Sequence, residues 1–128
     1  MSDFNSAKNR VVWVDIPVVD LERAATFYRN VLENKVSIEK FENIQFAVLH
    51  HEDGNGGCLV PGDSDKITQH GLLVYMNVDG RIQDAVSKVE SSGGKLVEPT
   101  HSIGPHGFRA LVLDSEGNRI ALHSNTDV

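Results

Sequence analysis

The chain has one cysteine, Cys58, so it cannot form an internal disulfide, and a reducing cytoplasm is the expected compartment. It has no run of lysine or arginine: 12 basic residues stand against 18 acidic ones, for a formal net charge of -6. Such a chain repels polyphosphate, which excludes nucleic acid as an expected partner. Its apolar stretches, such as Gly71-Leu72-Leu73-Val74-Tyr75-Met76, fall far short of the ~20 residues a membrane-spanning helix needs, so no membrane partner is expected either. Met1 to Ser6 is polar, without the basic start and apolar stretch of a cleaved secretion signal. There is also no glycine-rich nucleotide fingerprint, no His-Glu-x-x-His pattern and no serine nucleophile elbow.

What is present is a globular composition, 128 residues of which 40% are hydrophobic and 23% charged, enough for one domain with a real core. Between Arg10 and Val18 the aliphatic residues Val12, Val14, Ile16 and Val18 alternate with Val11, Trp13, Asp15 and Pro17, the period of a strand. Asp20 then caps a helix carrying Leu21, Ala24, Ala25, Phe27, Tyr28, Val31 and Leu32 at helical spacing, with a stop at Asn34. Strands are predicted over Lys35 to Phe41, Ile44 to His51 and Cys58 to Val60.

After a turn-rich stretch beginning at Pro61-Gly62-Asp63, the same order starts again. Gly71 to Val78 alternates, Asp79 caps a helix containing Ile82, Ala85, Val86 and Val89, and Gly93-Gly94 ends it. Strands follow at Lys95 to Glu98, Phe108 to Leu113 and Arg119 to His123, the last two joined by a turn at Asp114 to Asn118. The sequence therefore reads as βαβββ twice within one domain, 1–128: module one spans about 10–60, the linker about 61–69 and module two about 70–124. A helix covers only one face of each sheet, so the opposite faces are free to line a shared cleft.

Ile16-Pro17-Val18-Val19-Asp20 running into Tyr28, Gly93-Gly94-Lys95, His106-Gly107-Phe108-Arg109-Ala110 and Asp114 to Ile120, in this order, resemble the vicinal oxygen chelate superfamily. That group includes glyoxalase I, fosfomycin and bleomycin resistance proteins, methylmalonyl-CoA epimerase and extradiol dioxygenases. The resemblance covers the chain from about Arg10 to Ser124. It implies an α+β fold in which the two βαβββ modules form a curved, mostly antiparallel eight-stranded sheet around a cleft, a homodimer, and often a divalent metal.

Metal-using relatives place His in the first strand of each module and a carboxylate in the last. Here those positions fall on Trp13 and Leu73, and on Ala121 and Cys58. One thiol does not supply the three protein ligands that such a centre requires, so no metal or other cofactor is expected, with a divalent metal kept as the minority alternative. A site assembled from His101, His106 and His123, or from His50 and His51, has no diagnostic spacing in its favour.

The remaining candidates lie on the faces turned to the cleft. His123 follows Ala121 by two residues and so shares its face, either as a proton carrier or as a plain hydrogen-bonding group at a sheet edge. Trp13 either stacks on a flat ligand or closes the cleft into core, with Asp15, Tyr75 and Asn77 beside it as polar groups. Arg109 and the Gly104-Pro105-His106-Gly107 loop bring a charge and backbone N–H groups to an anionic substrate, and Cys58 reads most simply as a small buried hydrophobe. The expected function is binding of a small organic molecule in a metal-free cleft, through Trp13, Tyr75, Asn77, Cys58, Leu73, His106, Arg109 and Ala121. The alternative is a lyase or isomerase acting next to a carbonyl, related to lactoylglutathione lyase and metal-dependent in one version. It would use His123 or Asp15 as proton carrier and Arg109 or Tyr75 to steady an oxyanion.

Overall fold

A computed structural model describes residues 11–128. The order of elements is β1 (Asp15–Val18), α1 (Leu21–Leu32), β2 (Val36–Phe41), β3 (Ile44–Leu49), β4 (Gly57–Pro61), β5 (Val74–Asn77), α2 (Ile82–Val89), β6 (Lys95–Ser102), β7 (Phe108–Leu113) and β8 (Arg119–Ser124). The duplicated βαβββ plan takes the form of two four-stranded sheets, β1-β4-β3-β2 and β5-β8-β7-β6. In each, the module's first strand runs parallel to its last and the other pairings are antiparallel. None of the described helices is long and apolar enough to cross a membrane.

Helix α1 begins where Asp20, in extended conformation, accepts a hydrogen bond from the Arg23 N–H at 3.0 Å. It ends one residue before the expected stop, because Glu33 rather than Asn34 takes the left-handed turn, at φ 51°. Helix α2 departs further from expectation: Asp79 does not cap it. Arg81 stands at its start, and the Asp79 carboxylate instead accepts from the Asn125 N–H and the Ser124 hydroxyl. Strands β1 and β5 are shorter than their alternation predicts: each pairs with only one neighbour and begins only where that pairing begins, at Asp15 opposite Cys58 and at Val74 opposite Ile120. Arg10, the predicted first residue of β1, lies outside the described residues. Strand β6 is longer than predicted. With one shift of register before Glu98 and a second after it, the strand continues past Pro99, which an edge strand tolerates because no neighbour needs its missing N–H.

One hydrophobic cluster joins the modules. Ala24, Phe27 and Tyr28 of α1, Ile82, Ala85 and Val89 of α2, and Ile16, Leu59, Val112, Ile120 and Leu122 from the sheets all belong to it. At ~25 cal/mol per Å² of apolar surface, this shared burial is the main force holding the halves together. Polar contacts set the register between them. The Asn118 amide donates to the Pro17 carbonyl at 2.8 Å, and the buried Tyr28 hydroxyl donates to Asp114 at 2.7 Å. Because Ile16, Val18, Ile120 and Leu122 face the helices, the alternate residues Asp15, Tyr75, Asn77, Arg119, Ala121 and His123 stand on the opposite faces.

Candidate functional site

Strand pairing in the second module lays two rows of side chains across that opposite face. Asn77 of β5, His123 of β8, Arg109 of β7 and His101 of β6 follow one another as cross-strand neighbours. Tyr75, Ala121, Leu111 and Glu98 form the adjacent row. Cross-strand partners lie ~4.5–5.5 Å apart, so the first row is a continuous polar strip.

The strip is wired by hydrogen bonds whose directions fix its protons. The Pro99 carbonyl can only accept, so the His101 Nδ1 at 2.9 Å donates to it. The Nε2 of His101 is then a lone pair, and it accepts from the Arg109 Nε–H at 3.2 Å. Arg109 turns its Nη1 to the Tyr75 hydroxyl, which accepts at 2.6 Å. Arginine cannot accept in return, so the hydroxyl's own hydrogen points elsewhere and remains available to a ligand. By the same logic the His123 Nε2 donates to the His106 carbonyl at 2.7 Å, which leaves Nδ1 as the basic nitrogen of the neutral ring.

The loop supplying that carbonyl depends on Gly107. Its φ is 99°, and a Cβ there would stand 2.6 Å from the Ser124 carbonyl oxygen and 3.3 Å from the His123 Nε2. Only glycine lets the loop lie this close against β8.

Two cavities adjoin β5. A smaller one of about 540 Å³ is lined by Tyr75, Met76, Asn77, Ile103, His106 and His123. A larger one of about 810 Å³ takes lining from both modules, including Trp13, His50 and Asn55 from the first and Leu73, Tyr75 and Asn77 from the second. Tyr75 and Asn77 line both.

The first module contributes a second cluster. Asp15 stands opposite Cys58 in the β1–β4 ladder, and the thiol donates to its carboxylate at 3.2 Å. Burial pushes the Cys58 thiol up, the Trp13 indole N–H bonded to it pulls the other way, and Asp15 raises it again, to about 11. The edge of Trp13 also meets the His51 ring, with centroids 5.4 Å apart.

The structure thus brings Trp13, Leu73, Tyr75 and Asn77 together at one cavity, and Tyr75, Asn77, His106 and His123 at the other. Arg109 reaches the site through Tyr75. Asp15, Cys58 and Ala121 line neither cavity: Ala121 is fully buried, Cys58 nearly so, and Asp15 is exposed beside the thiol. Sequence reasoning did not place His101 in the strip or Ile103 in the cavity wall. The signal for His101 lies in the register, since a strand carried past Pro99 sets it opposite Arg109.

A divalent metal at the positions the resemblance points to is not supported by their donor chemistry. Indole, isobutyl and methyl groups do not ligate, and the remaining Cys58 is held as a neutral thiol rather than the thiolate a metal binds. Among the described residues no three His, Cys, Asp or Glu side chains gather in a way that could hold a metal ion.

A family model described as the Glyoxalase/Bleomycin resistance protein/Dioxygenase superfamily matches residues 10–122. A glyoxylase-like domain-containing protein of Didymella fabae is 29% identical over 115 residues, 85% of this chain and 88% of that protein. A glyoxalase-related enzyme from Fulvimarina pelagi superposes with a TM-score of 0.69 at 17% identity, over 91% of this chain and 88% of its own. A glyoxylase/bleomycin resistance protein/dioxygenase domain from Frankia sp. EAN1pec does so with a TM-score of 0.71 at 18% identity, over 92% and 98%. At such identities the solved structures bear on the fold alone.

Proposed function

This chain belongs to the Glyoxalase/Bleomycin resistance protein/Dioxygenase superfamily, and from that premise we propose that it binds a small organic molecule beside β5 without the metal centre of its metal-using relatives. The observation that carries this reading is the Tyr75 hydroxyl, which lines both cavities, takes a hydrogen bond from Arg109 and keeps its own proton free for a ligand acceptor. Trp13 and Leu73 supply the apolar wall that such pockets use for affinity, while Tyr75 and Asn77 supply the few polar groups that fix orientation. Cytoplasmic location and a homodimer belong to the same reading, and sedimentation velocity checks the second.

Trp13 is the only tryptophan in the chain, so its fluorescence reports on the larger cavity directly. Titration with small aromatic carboxylates and alcohols is expected to quench it saturably, and Trp13→Ala, followed by heat-release calorimetry, to weaken binding about tenfold. Absence of saturable binding by every probe would overturn the proposal, as would stoichiometric nickel or zinc in protein purified without chelators.

One observation favours a second reading, a lyase or isomerase acting next to a carbonyl. The His123 ring is anchored through Nε2, which presets Nδ1 as a base at the edge of the smaller cavity. On that reading His123→Ala abolishes turnover while ligand affinity stays within about threefold; on the binding reading no turnover exists to be lost.

A further inference from the structure

His101 lines neither cavity, yet two successive hydrogen bonds connect it to the wall they share. It sits on β6 opposite Arg109 of β7, just after the second register shift. Its Nδ1–H is spent on the Pro99 carbonyl at 2.9 Å, and its Nε2 lone pair takes the Arg109 Nε–H at 3.2 Å, so the ring is neutral. Arg109 then reaches the Tyr75 hydroxyl oxygen with Nη1 at 2.6 Å.

The partners of this arginine decide what it does. Arg23 and Arg81 turn their charge to Glu116 and Asp84, whereas both groups that Arg109 bonds are neutral. Its positive charge therefore acts on the Tyr75 oxygen, in a partly buried chain of hydrogen bonds whose members polarise one another. A phenol that accepts from a cation donates more strongly through its own O–H. Without His101 the guanidinium keeps one anchor instead of two, and its long stem is free to swing toward water and away from Tyr75.

A second donor on the same wall is fixed in a parallel way. The Asn77 Oδ1 accepts the Asp79 N–H at 2.9 Å, so the amide oxygen is the atom turned to the backbone and the Nδ2 hydrogens are left for a ligand. Tyr75 and Asn77 stand one pleat repeat of ~7 Å apart on β5, and both line both cavities.

We propose that His101 is a positioning residue for ligand recognition: by holding Arg109 it fixes the Tyr75 hydroxyl as a donor, and with Asn77 that donor selects a ligand bearing a carbonyl or carboxylate oxygen. This rests on the binding function proposed above.

The test uses three probes of similar shape: benzamide and benzoate, which offer such an oxygen, and benzylammonium, which offers no acceptor. Each is titrated against Trp13 fluorescence in the unaltered protein, His101→Leu and His101→Gln. His101→Leu is expected to weaken benzamide and benzoate about three- to fivefold and to leave benzylammonium unchanged. His101→Gln, whose amide oxygen can take the Arg109 Nε–H in place of the imidazole, should restore most of the loss. In the protein without ligand, the Arg109 Nε–H resonance should move and exchange faster with water in His101→Leu. Unchanged benzamide and benzoate affinities in His101→Leu, or an equal loss for all three probes, overturns the proposal while leaving the binding function intact. Failure of every probe to bind the unaltered protein overturns the binding function, and an Arg109 Nε–H resonance indifferent to His101→Leu overturns the positioning role by itself.

Discussion

The carboxylate of Glu116, in the turn between β7 and β8, receives the Arg23 Nε at 2.7 Å and Nη2 at 2.9 Å, although the two residues are 93 positions apart. The same carboxylate accepts the Val19 and Asp20 N–H groups, both at 2.9 Å, at the start of α1. A negative charge there also faces the positive end of the helix. One side chain of the second module therefore closes the entry to the first module's helix.

We predict that this contact sets the acid limit of stability. Burial alone raises the Glu116 carboxyl, but hydrogen bonds from Arg23, the Asp20 N–H, Ser115 and the Val19 N–H outweigh it and bring it down to about 2. A depressed folded value means the contribution is complete above ~pH 4.3 and is lost as pH falls toward the folded value. Glu116→Ala should cost about 1–2 kcal/mol at pH 7, since its Arg23 partner is half exposed and partly screened by solvent. In urea unfolding series the gap to the unaltered protein should narrow steadily below ~pH 4.

The alkaline limit is expected to lie with Tyr28. Its burial, and then the charge and hydrogen bond of Asp114, hold its phenol well above the usual tyrosine value. A raised folded value contributes stability below ~pH 10 that drains away as pH climbs past it, because only the unfolded chain then ionises. Tyr28→Phe should cost about 1–2 kcal/mol at pH 7 and show a flatter fall in stability above pH ~10. Equal slopes for the two proteins would remove Tyr28 from this role.

Cys58 should be inert in the folded chain. With its thiol pushed up to about 11 and its side chain buried, thiolate is scarce at neutral pH. Iodoacetamide at pH 8 is predicted to label it only after unfolding in guanidinium. Asp15→Asn removes a charge that opposes the thiolate and should speed labelling of the native protein several-fold.

Tyr75→Phe tests the hydroxyl directly. The ring and its apolar contacts stay, whereas the donor to the ligand and the acceptor for Arg109 both go. Affinity for an organic carboxylate probe is expected to fall about five- to tenfold, with the melting temperature nearly unchanged because the residue is half exposed.

Gly107→Ala should damage site and stability together. An alanine there adopts a φ of 99° poorly, and its Cβ would press on the Ser124 carbonyl. The expected cost is about 2–3 kcal/mol by thermal unfolding. A lowered affinity for any probe of the smaller cavity should accompany it, since the His106 carbonyl that orients His123 rides on the same loop.

The repeat of βαβββ was legible because alternation and helical spacing are local signals, and they placed Tyr75, Asn77 and His123 on the face away from the helices correctly. Helix caps were less legible. Asp20 and Asp79 look alike in sequence, yet Gly80, at φ 79°, turns the second away from its helix, and its carboxylate finds Asn125 and Ser124 instead. The wiring of the strip was not legible at all. It depends on β6 continuing through Pro99, and sequence alone ended that strand at Glu98, one bulge short of setting His101 against Arg109. Ala121 shows the same limit from the other side: alternation gives the face, but not whether neighbours bury it.

The long-range grip on α1 also imposes an order of events during synthesis. The first module's sheet is complete once Pro61 has left the ribosome, yet the acceptors for the Tyr28 hydroxyl and for the amides of Val19 and Asp20 are Asp114 and Glu116, made more than fifty residues later. Until they arrive, the nascent first half must carry a solvated tyrosine hydroxyl and a loose helix entry, so the closing hairpin is the stitch that converts two partly formed halves into a single cooperative unit.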